Sequence, residues 1–381
     1  MSNVWKHPDL IAAEALTVLM DELTITRMAA RDKTADFMMR PNGYAIGDTV
    51  RIKTRPAYEA KEFSSTISVQ DIRSSTRSMA IEKLYDVSVA ITAREKLLDL
   101  DSFSEEVIRP AVTVLAEAAE TYVASKLLQA AGLYASDTLL ETAADVAKAR
   151  QAATLQQLNP MGRFAIVDDT LEASLLGQTW FNQSQTRGDP GISTLQSGMM
   201  GRVMGIDWYS SLYFPTSDHT AGDFTGVTNN TSGTKNLIGD TTLTVIASSA
   251  GGGVKVGDRI MIAGVRRPLV VKTGAPSVST SIALVDPITE IIPDGAAITV
   301  VGAEKSMTIR GAIFDTDALA VAMPMLDTPS DKPSYVVASD GFSIRVVQGY
   351  DMEKKTETMS LDFLIGAAAY DPRRITLLAG Y

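Results

Sequence analysis

Hydrophobic and polar positions alternate twice near the start of the chain, then give way to a long helical stripe. Over Thr49–Arg55, Val50 and Ile52 share one strand face while Arg51, Lys53 and Arg55 share the other. Tyr85, Val87, Val89 and Ile91 alternate with Asp86, Ser88, Ala90 and Thr92 in the same way. About thirty mostly polar residues separate these strands, too many for a tight turn and long enough to be functional. The pattern describes an extended β arm that leaves the domain body and needs a neighbouring subunit to lie on. Behind it, Ile108, Ala111, Val112, Leu115, Ala118, Ala119, Tyr122 and Leu127 follow helical spacing. Ser102 and Glu105 form a capping box ahead of this helix, and Gly132 reads as its C-terminal stop. Pro110 falls inside and predicts a kink or a restart after one turn. From Ser104 to Ala131 the helix would span roughly 40 Å. Its small alanine face suits an internal strut.

The rest of the chain reads as mixed α and β. Pro8 suits the first turn of a helix running to about Arg31, with Leu16, Leu19, Met20 and Leu23 as its stripe. A second helix is expected over Thr138–Leu158, broken by Asn159-Pro160. Arg163–Val167 reads as a buried strand, and Thr170–Leu176 as a short helix capped by Asp169. Residues 181–201 have the composition of a mobile loop. Residues 216–305 look like an insert that begins with a flexible stretch, Thr216–Thr234. Short β-branched runs follow at Thr242–Ile246, Arg259–Ile262, Leu269–Lys272, Ile282–Val285 and Ala297–Val301, a spacing that suits a small β-barrel or sandwich. Gly257-Asp258 before one run echoes Gly47-Asp48 before Thr49, a turn into a strand used twice. Thr308–Phe314 is expected as a strand and Thr316–Met323 as a short helix ended by Pro324. Val336–Ala338, Ser343–Gln348 and Thr356–Ile365 then close the fold, the first two joined by an Asp340-Gly341 hairpin turn.

Composition narrows the function. A net charge of −10 disfavours a general nucleic-acid binder, which needs positive potential to hold phosphates. Residues 40–83 differ, with eight bases against five acids, so a mildly basic arm rides on an acidic body. Without cysteine there are no disulfides and no thiolate metal sites, which fits a reducing cytoplasm. The apolar run Leu16–Met20 is short and bracketed by Glu14 and Asp21, so no secretory leader is expected. No stretch approaches the roughly 20 apolar residues of a membrane span, and a soluble, intracellular protein is expected.

Reactive chemistry finds little footing. His7 abuts Pro8 near the terminus and His219 falls in the flexible stretch, so neither is expected to be ordered enough for a nucleophile relay. No phosphate-binding glycine loop is present, and Gly251-Gly252-Gly253 lacks the following helix such a loop needs. Asp168-Asp169 after a strand could be a carboxylate pair, but a helix cap explains it more simply. Arg266-Arg267 and Arg373-Arg374 suit solvated or interfacial pairs better than phosphate clamps. Arg51, Lys53 and Arg55 lack the stacking aromatics of a single-strand groove, and read as a protein contact instead. No catalytic residue, cofactor or metal site is nominated.

The order of elements, together with certain phrases, resembles a known family. These are Val89-Ala90-Ile91-Thr92-Ala93-Arg94-Glu95 leading into Asp101–Pro110, then Pro160–Asp168, Arg310–Ala322 and Gly341–Pro372, ending in Asp371-Pro372-Arg373-Arg374. They resemble the major capsid proteins of tailed double-stranded-DNA bacteriophages, of HK97-like fold and closest to the P22 coat type. The resemblance implies an α+β fold with an N-arm at 1–40, an E-loop at 41–95 and a spine helix at 103–131. The spine helix, P domain and first part of the A domain would occupy 96–215, an inserted small β-barrel 216–305, and the closing parts of the A and P domains 306–381. It implies an icosahedral shell of hexamers and pentamers, with scaffolding and portal proteins as partners and packaged DNA held without sequence specificity. That shell would be assembled in the host cytoplasm, with no membrane and no cofactor involved. The inter-subunit contacts are then expected at Arg51, Lys53, Arg55, Lys61, Arg73 and Arg77. Two other classes stay open: a β-rich tail or adhesin component, and a hydrolase working through Asp168 and Asp169 alone.

Overall fold

The computed structural model describes residues 8–32, 34, 47–53, 62, 69, 76–91, 104–137, 139–182, 198, 200–230, 236–247, 252–329, 333–351 and 356–381. The chain divides into two compact units. One comprises Met1–Arg51, Ser78–Lys126 and Leu319–Ala369, and the other Ile52–Arg77, Leu127–Ala318 and Tyr370–Tyr381.

The first unit is built on the strand Thr356–Ala369, fourteen residues long. One side of it pairs antiparallel with Phe342–Asp351, which pairs in turn with Ser334–Ser339. Lys83–Ile91 pairs with residues 357–365, from Ile91↔Glu357 to Lys83↔Ile365, and Leu319–Ala322 continues the ladder over 366–369. The Asp340-Gly341 turn has positive φ at both residues (52° and 82°), the geometry a two-residue hairpin demands. Helix Pro8–Glu22 packs on the Ser334–Ser339 and Phe342–Asp351 strands, burying Ile11, Ala12, Ala15, Leu16 and Leu19. It stops at Glu22, and a separate turn, Ile25–Met28, replaces the single helix to Arg31 that the stripe predicted.

The long helix shows the restart after one turn that Pro110 predicted, but it ends earlier than its sequence pattern suggested. It opens with a π-helical turn, Ser104–Ile108, and restarts as α-helix over Arg109–Leu127. Pro110, which cannot donate a backbone hydrogen bond, falls where the π turn gives way to α-helix. Ser102 of the expected capping box lies outside the described residues. The helix ends at Leu127, short of Gly132, which serves a different purpose. A Cβ there would lie 2.6 Å from Thr376 Oγ1 and 2.9 Å from the Ile375 carbonyl, so Gly132 admits a neighbouring strand.

That strand contact belongs to the second unit. Gly132–Ser136 pairs in parallel with Ile375–Gly380, at one end of a seven-stranded sheet. The order continues through Ser306–Asp315, Arg163–Val167, Ile206–Ser210 and Gly201–Val203, with Ser217–Thr220 also beside Ser306–Asp315. Helix Ala143–Leu155 starts later than predicted, because positive φ at Leu139 and Leu140 (43° and 59°) turns the chain and Thr142 then caps it. It packs with helix Asp169–Leu176 around Val146, Ala149, Ala165, Val167, Leu171 and Leu175. The cap of Asp169–Leu176 is Asp168, one residue earlier than expected, accepting a hydrogen bond from Leu171 N at 2.8 Å.

The remaining strands of this unit form a six-stranded sheet. Its order is Leu269–Val270, Arg259–Ile262, Ala297–Val300, Gly226–Thr228, Thr242–Ala247 and Ser281–Ala283. Its two end strands also exchange hydrogen bonds, Lys272 N donating to Ala283 O (2.8 Å) and Val285 N to Val270 O (2.9 Å). The expected flexible stretch therefore holds two strands, Ser217–Thr220 and Gly226–Thr228. Gly47 and Gly257 both have positive φ (95° and 84°), bearing out the repeated turn into a strand. Of the expected mobile loop, 183–197 lie outside the described residues, while Gly201–Val203 is a strand. The helix expected over Thr316–Met323 is one 3₁₀ turn, Thr316–Ala318, followed by strand Leu319–Ala322. All four residues of that strand are buried, so it carries no alternation for the sequence to display.

Candidate subunit-contact surface

Arg51 is exposed on the strand Thr49–Lys53, which pairs with Thr76–Ala80 as a two-stranded ribbon. The side chain of Lys53, and the whole of Arg55, Lys61 and Arg73, lie outside the described residues. Arg77 is half-buried and forms an ion pair with Asp286, which occupies it within the subunit. The described part of the nominated set is thus one exposed cation and one paired one.

The return strand keeps the predicted alternation. Tyr85, Val87 and Val89 are half-buried, Asp86, Ser88 and Ala90 are exposed, and the Tyr85 ring lies 5.8 Å from Phe363. Among the described residues no strand pairs with its other edge. Nine residues of backbone donors and acceptors at an open sheet edge are a ready template for another chain.

Two acids root this region, one exposed and one buried, and sequence reading singled out neither. Glu82, just before the return strand, accepts from Tyr122 Oη (3.0 Å) and Lys126 Nζ (3.1 Å) on the long helix. Burial opposes ionisation of Glu82, but the Lys126 ammonium and Tyr122 hydroxyl hold its carboxyl below the usual range. Burial, with the Glu82 carboxylate, pushes the Tyr122 hydroxyl well above its ordinary value. Tyr122 Oη in turn accepts from Ala367 N at 3.4 Å. Glu120 is 1% exposed and accepts from Ile25 N (2.8 Å), Thr26 N (2.9 Å) and Thr26 Oγ1 (2.7 Å). It satisfies the free N–H groups at the start of Ile25–Met28 and fixes that turn to the long helix. Burial lifts its pKa above its ordinary value, with the Thr26 and Ile25 hydrogen bonds opposing the lift. The signal for Glu120 was a lone charge at helical spacing from Ala116, Val123 and Ala124.

The residues weighed for chemistry have structural partners. Asp168 caps its helix and accepts from Arg310 Nη1 at 2.8 Å, so both oxygens are engaged. Arg373 binds Asp371 through two nitrogens, at 2.8 and 2.9 Å, and Arg374 bridges Asp315 and Asp317 at 2.6 Å each. Partial burial of Asp371 opposes ionisation, but the Arg373 guanidinium, with Arg267 nearby, holds its carboxyl below the ordinary value. Arg266 N donates to Glu290 Oε2 at 3.0 Å, and Arg267 lies 3.7 Å from Glu290. His219 is ordered, contrary to expectation, because strand Ser217–Thr220 carries it and its Nε2 lies 2.8 Å from Asp258 Oδ1. His7 lies outside the described residues. Among the described residues no three His, Cys, Asp or Glu side chains gather to hold a metal, and no helix is long and apolar enough to cross a membrane.

No family model matches the sequence, and no curated protein matches it. Solved structures do. The Mycobacterium phage Che8 structure aligns over 93% of this chain and 90% of its own, with a TM-score of 0.52 and 11% identity. The capsid of Cyanophage P-SCSP1u aligns over 88% and 84%, with a TM-score of 0.46 and 14% identity. The mature capsid of bacteriophage PhiM1 aligns over 88% and 83%, with a TM-score of 0.45 and 10% identity. The likeness to the Che8 structure shows that the chain shares its mixed α/β fold.

Proposed function

We propose that a chain with this fold is the major capsid protein of a tailed phage, a structural subunit that assembles with copies of itself into the head. The observation that carries the reading is the Che8 likeness, which runs through nine-tenths of both chains rather than one shared domain. A fold alone can host several functions, so the reading also leans on the site. The open nine-residue edge of Lys83–Ile91 and the anchors at Glu82 and Glu120 suit segments that reach a neighbouring copy from a firm base.

The finer assignment follows the HK97-like plan. In it, 1–40 is the N-arm, 41–95 the E-loop, Arg109–Leu127 the core of the spine helix and 216–305 an inserted β-barrel. The hydrogen bonds joining Leu269–Val270 to Ser281–Ala283 support closure of that barrel. Scaffolding and portal proteins would be its partners during assembly in the host cytoplasm, with packaged DNA held without sequence readout. Arg51, Lys53, Arg55, Lys61 and Arg73 would contact neighbouring subunits, while Arg77 would have to exchange Asp286 for an acid of a neighbour. The competing classes fare less well. A β-rich tail component has no use for the helices Arg109–Leu127 and Ala143–Leu155, and a hydrolase through Asp168 would need a carboxylate already committed to Arg310 and a helix cap. Electron microscopy of the purified chain, alone and co-expressed with neighbouring genes, tests the reading. Closed shells are expected, and monodisperse monomers under every condition would sink it.

A further inference from the structure

A cavity of about 290 Å³ lies in the second unit, and basic residues line it without any acid. Four of its lining residues are Arg77, His219, Arg259 and Lys272; Val270, Val285 and Ile309 supply apolar wall. Two of the four bases are already compensated. Arg77 is paired with Asp286, and His219 with Asp258, whose other oxygen accepts from Gly222 N (3.0 Å) and Lys255 N (2.7 Å).

The other two are not. Lys272 is exposed and has no carboxylate partner among the described residues. Arg259 is 5% exposed, yet two backbone carbonyls hold it: Nη1 donates to Gly257 O (2.9 Å) and Nη2 to Ala130 O (3.0 Å). Its Nε is buried with no hydrogen-bond partner. Burial pushes the Arg259 pKa down to about 10, only partly offset by the neighbouring Asp258 charge. A buried guanidinium with a vacant donor is costly unless an anion completes it.

We propose that this cavity binds a small amphiphilic carboxylate, its head between Arg259 and Lys272 and its aliphatic part against Val270, Val285 and Ile309. The charge balance fits one monoanion, since the Asp258 charge partly offsets Arg259, Lys272 has no carboxylate partner among the described residues, and no lining acid repels it. The apolar wall asks for more than a bare ion, because inorganic phosphate would leave that surface uncovered. The site does not depend on the proposed shell, and failure of either leaves the other standing.

Calorimetric titration of the full chain with octanoate, octanol and inorganic phosphate tests it. Octanoate is expected to bind saturably with one site per chain, and octanol and phosphate at least about tenfold more weakly. Lys272→Glu, at an exposed position, should weaken octanoate about tenfold or more while leaving the melting temperature of the unliganded chain unchanged. Val285→Trp should block binding by filling the cavity. The proposal fails if octanoate does not saturate, if octanol or phosphate binds as well, or if neither substitution weakens octanoate.

Discussion

Glu120 is a carboxylate almost out of reach of water, on a helix whose neighbouring inward residues are alanine and valine. Its two oxygens take three hydrogen bonds from Ile25 and Thr26, so the charge is spread over donors that would otherwise be orphaned. Replacing it with alanine leaves two backbone N–H groups buried and unpaired. Glu120→Ala should therefore lower the unfolding free energy by about 3 kcal/mol in urea titration of the unassembled subunit. Glu120→Gln, which keeps one acceptor, should lose less. Hydrogen exchange at Ile25 and Thr26 would show whether the loss arises there. Asp371 contributes through an ion pair instead. Its folded pKa lies below the ordinary aspartate value, so its pairing with Arg373 stabilises the fold above about pH 4 and fades as pH falls through the depressed value. Asp371→Asn should be less stable than the parent at pH 7, and the gap should narrow towards pH 3. An unchanging gap across that range would mean that the ion pair contributes nothing.

Elements in this fold are often set by close backbone approach rather than by propensity. Gly366 interrupts the apolar strand Thr356–Ala369, and a Cβ there would lie 2.5 Å from the Ala80 carbonyl and 3.1 Å from Ile81 Cα. Its φ is not left-handed, so space alone excludes a side chain. Gly366→Ala should cost about 2 kcal/mol by thermal unfolding, because backbone rather than a flexible side chain must yield. The mutation tests how tightly the segment before the return strand is held. Element identity was legible in the sequence where burial is one-sided. Tyr85–Ile91 alternated because one face of that strand is half-buried, and Arg163–Val167 emerged as a strand with the bounds it has. Leu319–Ala322 was misread as helix because both of its faces are covered, leaving an apolar run with no period. Gly132 was misread as a helix stop because a glycine looks the same whether it ends a helix or admits a strand.

In the whole molecule, folding of the subunit and assembly through the arm are separable. Met79 and Ile81 are fully buried, and the backbone of Ile81 exchanges hydrogen bonds with Gly47 and Asp48. A deletion must therefore spare them. Replacing residues 56–75 with a short glycine-serine linker should leave a folded subunit, by circular dichroism and melting temperature, that forms no stable shells in electron micrographs. Normal shells from that variant would remove the segment from the assembly mechanism. The mixed α and β class, the return strand and long helix in succession, and most strands within residues 216–305 were legible from the sequence alone. Those depend on periodicity, charge and residue type, which are local. Only the tertiary structure decided what covers each face and which chain approaches which. It placed Glu120 under Ile25, seated His219 against Asp258, occupied Arg77 with Asp286, and brought Arg259 and Lys272 to one cavity wall. Each of those pairs joins residues at least 13 positions apart in the chain, and no local pattern encodes a distance that the fold closes.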